Sequence, residues 1–160
     1  MKRRPTLVLQ FLAVCTCAAA SASAADSRQV DLPSRTRGAS KVVVAKAVSV
    51  TPVWRTTAHG DRLIVSDVAL QVEETLKGTP ASLMWLEVEG GTIDGVTLAV
   101  SSLTPMKMGD RAVFFLDETS SGLHLPHMKG MGIMRLDAND RIQGSSLRLE
   151  EVRRQVLSVR

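Results

Sequence analysis

The chain has 160 residues, with 20 Lys and Arg against 16 Asp and Glu and only 3% aromatic residues. That length supports one modest core, not several domains. It also argues against nucleic acid as a partner, because such binders concentrate positive charge and stacking rings. Here the basic residues are scattered, and Trp54, Trp85, Phe114 and Phe115 are the only aromatics after residue 24.

The first residues read as an address. Lys2, Arg3 and Arg4 precede an apolar run from Leu7 to Ala20, and Ala22-Ser23-Ala24 has the small residues of a signal-peptidase site. The run is shorter than the roughly 20 apolar residues that span a bilayer. Met1 to Ala24 is therefore expected to be a cleaved export signal, with no transmembrane segment in the mature chain. Removing Lys2, Arg3 and Arg4 takes 20 basic residues to 17 against 16 acidic, a net charge of +1. Both cysteines, Cys15 and Cys17, fall inside the signal, so the mature chain has to stand on packing without disulfides. Valine just before Cys15, where Gly, Ala or Ser is usual, argues against a lipid anchor there.

Residues 25–40 are polar, contain Pro33 and Gly38, and read as a flexible lead-in without regular structure. From Lys41 the composition turns to valine and alanine through Val50, which predicts a closely packed strand. Pro52 is expected to restrict its pairing, and Thr56 to Asp61 to make a turn. The clearest alternation follows, with Ile64, Val68, Leu70 and Val72 on one face and Asp67, Gln71 and Glu73 on the other. Lys77-Gly78-Thr79-Pro80 closes that strand. A third is predicted over Leu83 to Glu89, with Met84, Leu86 and Val88 opposite Trp85, Glu87 and Glu89.

The stretch from Gly90 to Leu116 forms the centre. It holds a glycine turn, a short strand marked by Val96, Leu98 and Val100, a loop closed by Gly109-Asp110, and the apolar run Ala112 to Leu116. Leu123 to His127 reads as a short strand whose Pro126 points to a sheet edge. Ile133 to Leu136 reads as another. The end is helical, with Ser145 or Ser146 as the expected cap and Leu149, Val152, Val156 and Val159 on one face. In this division 41–144 is the β domain and 145–160 the helix.

The segment Val42 to Ser49 (VVVAKAVS), together with Leu76-Lys77-Gly78 after a long second strand, resembles the netrin-like N-terminal domain of the tissue inhibitors of metalloproteinases. A broader set of features is similar to a group of exported bacterial domains. These are the valine strand, Leu-Lys-Gly, Gly90-Gly91, Gly95 before a strand, and Gly109-Asp110 before Val113-Phe114-Phe115-Leu116. Both likenesses imply an OB-like five-stranded barrel. The expected fold is thus mainly β, a small closed or partly open OB-like β-barrel of five to seven strands with a C-terminal α-helix. The inhibitors chelate a protease zinc through an N-terminal Cys-x-Cys. Cys15-Thr16-Cys17 has that look, but it lies within the export signal, so the mechanism does not carry over.

Candidate chemistry is sparse. His124 and His127 are spaced HxxH, but on a strand an odd spacing sends the rings to opposite sides, and a metal wants three or four converging ligands. No serine has a nucleophile-elbow context, and Asp94, Asp110, Asp117 and Glu118 read as turn residues. Met106, Met108, Met128, Met131 and Met134 cluster late in the chain, and core filling explains them better than copper handling. No catalytic residue, metal ligand or cofactor is expected. The binding candidates are Trp54, Trp85, His124 and His127. These readings converge on an exported, non-enzymatic binding module in the periplasm or outside the cell. Its expected partner is a protein or peptide, with a protease one class to consider. The alternatives are an envelope glycan-binding or structural factor, with Trp54 or Trp85 as platform, and a periplasmic metal-handling protein.

Overall fold

The computed structural model describes residues 31–57, 59–101 and 103–159. The expected export signal, Cys15 and Cys17 lie outside the described residues. In chain order the elements are helix α1 (Leu32–Gly38), strands β1 (Lys41–Thr56), β2 (Arg62–Lys77), β3 (Leu83–Glu89), β4 (Gly91–Ile93), β5 (Val96–Leu98), β6 (Arg111–Glu118), β7 (His124–Pro126) and β8 (Ile133–Arg135), and helix α2 (Leu149–Ser158). A 3-10 turn, Lys129–Gly132, separates β7 from β8. The fold is mainly β with a C-terminal helix.

Five strands close on one another in the order β1-β2-β3-β7-β6, and β6 returns to β1 through pairs from Lys41–Leu116 to Lys46–Arg111, giving a ring-like sheet. β8 pairs with β6 at Ala112–Phe114, on the edge that β7 takes at Leu116–Glu118, and β4 and β5 form a separate hairpin. The ring explains the two most apolar runs. On β1, Val43, Ala45 and Ala47 point into the ring with Phe114 and Leu116 of β6, while Val42 and Val44 point outward with Val113 and Phe115. The outward set is covered by Leu32 of α1 and by Leu149, Val152 and Val156 of α2. Both faces of these strands are dry, so polar alternation disappears. At about 1.5–3 kcal/mol per buried large apolar side chain, these runs hold much of the folding energy.

Register shifts at Val42/Val43, Val44/Ala45 and Ala47/Ser49 bend the sixteen-residue β1, so that one strand serves β2 along its length and β6 over its first part. Pro52 does not stop the strand, since it pairs with Ser66 and the ladder runs on to Thr56–Arg62. β6 has left β1 by then, so no described strand needs the missing N–H. Pro126 was expected at a sheet edge, but β7 lies between β3 and β6. His127 N–H donates to Phe115 O at 2.8 Å. By alternation the donorless Pro126 nitrogen faces the β3 side, past the single Leu86–His124 pairing. Val100 lies beyond β5 and forms an isolated bridge to Leu103.

The lead-in carries a helix where none was expected. Asp31 Oδ1 accepts from Ser34 N–H at 3.2 Å as the N-cap, and Pro33 sits in the first turn, where its missing N–H breaks no helical bond. Proline and glycine here mark a helix start and end instead of disorder. The cap of α2 also differs from expectation. Arg148 is the capping residue, and its backbone N–H is held by Glu151 Oε2 at 2.8 Å, whereas Ser145 closes the preceding turn through Leu147 N–H. Arg153 ties α2 to the sheet through Glu74 of β2 at 2.8 Å and also pairs with Glu150.

One buried charge stands out. Arg35 of α1 is 4% exposed, its guanidinium carbon lies 5.5 Å from the Phe115 ring centroid, and its Nε has no hydrogen-bond partner among the described residues. Burial lowers the guanidinium pKa from its ordinary value. Arg35 has no ion-pair partner among the described residues, and replacing such a buried charge with an apolar side chain of similar length is often stabilising, so Arg35→Met is expected to gain about 1–4 kcal/mol. A urea midpoint above that of the parent chain is the expected result. An unchanged or lower midpoint would mean that stacking on Phe115 outweighs the desolvation.

Candidate functional site

The four residues singled out from the sequence are not brought together. Trp54 pairs with Ile64 on the face that continues the ring interior. The residue is 39% exposed and its ring lies under the Arg62 guanidinium at 4.7 Å, which covers part of the surface a ligand would use. Trp85 pairs with Ala69 on the opposite, outer face and is 54% exposed. The two indoles therefore form no shared platform.

The histidines also part company, in the sense that strand spacing predicts. His124 turns inward with Leu86, is buried, and its Nδ1–H donates to Trp85 O at 3.2 Å. A carbonyl can only accept, so this contact assigns the Nδ1 proton. Nε2 is buried without a partner among the described residues. His127 instead reaches the outer side, where Nδ1 sits 2.9 and 3.0 Å from the two oxygens of Asp117. Its other edge rests on Gly38, where an added Cβ would lie 2.5 Å from Nε2. His124 thus closes β7 onto β3, and His127 seats α1 on the ring. Among the described residues no group of three His, Cys, Asp or Glu side chains converges as a metal site would require.

Trp85 has company that the sequence did not announce. β3 buries Met84, Leu86 and Val88 and turns Leu83, Trp85, Glu87 and Glu89 away from the ring. The parallel pairing of Leu86 with His124 sets Leu123, just before β7, level with Trp85, and Leu125 of β7 level with Glu87, on that same outer face. Leu83 is 55% and Leu125 37% exposed, so an aromatic and two aliphatic side chains on this face are open to water. The other sector of the outer face lies beneath α1 and α2, whereas no helix among the described residues covers this one. Arg55 borders the patch. Its Nε binds Glu87 at 3.0 Å and its Nη2 binds Asp67 at 3.1 Å, and these carboxylates hold the guanidinium pKa above its ordinary value. With Arg55 half exposed, the pairs contribute more to shape than to stability. The signal for the patch was present in Leu83 and Leu125, but only the β3–β7 pairing puts them on one face.

The methionines divide. Met84, Met106 and Met134 are buried, while Met108, Met128 and Met131 are 75%, 52% and 50% exposed. Core filling thus describes Met106 and Met134 but not the other three members of the late cluster. Met106 is also held electrostatically: Arg135 Nη2 donates to its sulfur at 3.4 Å and to Thr104 O and Pro105 O at 2.7 and 3.0 Å.

No helix among the described residues is long and apolar enough to cross a membrane. The chain matches no protein-family model and no curated protein.

Proposed function

We propose that this protein is an exported, non-catalytic binding module on an OB-like barrel, recognising a protein or peptide in the periplasm or outside the cell. The observation that carries the reading is the exposed patch of Leu83, Trp85 and Leu125 on the outer face of β3 and β7. Exposed apolar clusters bordered by polar groups mark interaction sites, and tryptophan is enriched among the residues that dominate binding energy. The five-strand ring supports the OB-like part of the reading, and the export signal supports the location. An exported protease is one partner class that the netrin-like resemblance brings in.

The test is affinity capture with residues 25–160 as bait from the native envelope and secreted fraction, run beside Trp85→Ser. Stoichiometric recovery of one protein by the parent bait is expected. Loss of a central tryptophan contact should cost about 2 kcal/mol or more, near 30-fold in Kd. Recovery of nothing by either bait overturns the binding-module reading, and equal recovery by both removes the patch from it.

A further inference from the structure

We propose that Met128 and Met131, on the turn between β7 and β8, form an oxidation site at which hydroperoxides convert the thioethers to sulfoxides. The two side chains flank one turn, closed by Met131 N–H to Met128 O at 3.4 Å, and each is about half exposed. Susceptibility of a thioether follows its access to the oxidant. The backbone here is also among the least relaxed of the chain, since Met128 and Lys129 are consecutive non-glycine residues at φ +54° and +55°.

The contrast inside the molecule separates exposed from buried methionines. Met84 and Met106 lie within the ring and Met134 lies under α2, at 4%, 6% and 5% exposure. Met108 is exposed on a separate loop and is expected to react as an isolated side chain. In the reaction the sulfur lone pair attacks the outer peroxide oxygen. The S–O bond forms as the O–O bond breaks, and the proton on the attacked oxygen passes to the leaving oxygen, which departs as water or an alcohol. Sulfur loses two electrons and the peroxide gains them. Each event turns an apolar side chain into a polar hydrogen-bond acceptor without removing a core contact.

The experiment treats the folded mature chain with hydrogen peroxide and maps oxidised methionines by peptide mass spectrometry alongside thermal melting. The expected result is one oxygen on each of Met108, Met128 and Met131, loss of their unmodified peptides, and intact peptides for Met84, Met106 and Met134. The melting temperature should be retained, and methionine sulfoxide reductases should remove the added oxygens. The double variant Met128→Leu/Met131→Leu should take up two fewer oxygens and melt like the parent. Oxidation of the buried three in step with Met128 and Met131, or failure of those two to react, overturns the proposal. So does a collapse of the melting transition once only those two are oxidised.

Discussion

Gly132→Ala is expected to be among the most damaging single-methyl additions in this chain, at a cost of about 3 kcal/mol, the upper end for overpacking that forces backbone to move. Gly132 closes the 3-10 turn and is buried. A Cβ built there would lie 2.4 Å from His127 O, 2.7 Å from His127 N and 2.8 Å from Phe115 O. All three are backbone atoms, so no rotamer change relieves the contact. Two of them, His127 N and Phe115 O, make the hydrogen bond that leads β7 out of its pairing with β6. The methyl group would therefore act on ring closure itself. Urea unfolding should show a clearly lower midpoint, with Trp85 fluorescence reporting the same transition. A midpoint within error of the parent would mean that the turn can lift off β6 without loss.

The second large effect is expected from Lys77→Met. Its ammonium donates to Thr36 O at 2.7 Å, Arg37 O at 3.2 Å and Ala39 O at 2.7 Å, which are the carbonyls at and just beyond the end of α1. The last carbonyls of a helix have no partner within it, and a cation is favoured there by charge as well as by hydrogen bonding. Three converging acceptors suit an ammonium with three donors better than the planar fork of arginine. Hydrogen bonds to a charged group contribute roughly 1.5–3 kcal/mol each when isolated, and one ammonium shared among three acceptors gives about 2–4 kcal/mol in all. Methionine keeps the aliphatic stem and removes the donors. Amide exchange should then quicken in α1 more than in β1 and β6, with Lys77→Arg rescuing only part of the protection. Uniform loss of protection across the ring would instead mean that α1 and the ring unfold as one unit.

Both predictions rest on residues whose importance was visible in the sequence only in outline. Leu76-Lys77-Gly78 reads as the end of a strand, and it is one. What it does there depends on α1 lying beside it, because a lysine cap needs the helix end within reach of its side chain. The lead-in illustrates the same limit from the other side. Pro33 and Gly38 are breakers by local chemistry, but Asp31 as cap and the apolar surface around Leu32 give a seven-residue helix something to pack on. Isolated helices this short are marginal in water, and tertiary contact decides whether they form.

Local chemistry alone determined the strands with clear alternation. Leu83 to Glu89 has the predicted limits and alternating burial, and β2 turns the predicted residues Ile64, Val68, Leu70 and Val72 to one face, although Val65 and Ala69 on its other face are buried as well. The apolar runs Val42 to Ala45 and Ala112 to Leu116 also announced buried strands, and the double burial seen between ring and helices is what a continuous apolar run requires. The terminal helix was legible from its apolar face, although its cap was not, since Arg148 is chosen by the bond from Glu151 and not by its own side chain. Only the tertiary structure decided which strands meet. It placed β7 between β3 and β6 despite Pro126, separated Trp54 from Trp85 onto opposite faces, and set Leu123 level with Trp85 and Leu125 level with Glu87. The physical reason is that periodicity fixes the direction of a side chain relative to its own strand. Which other strand stands alongside is set by register, bends and ring closure, which join residues far apart in the chain.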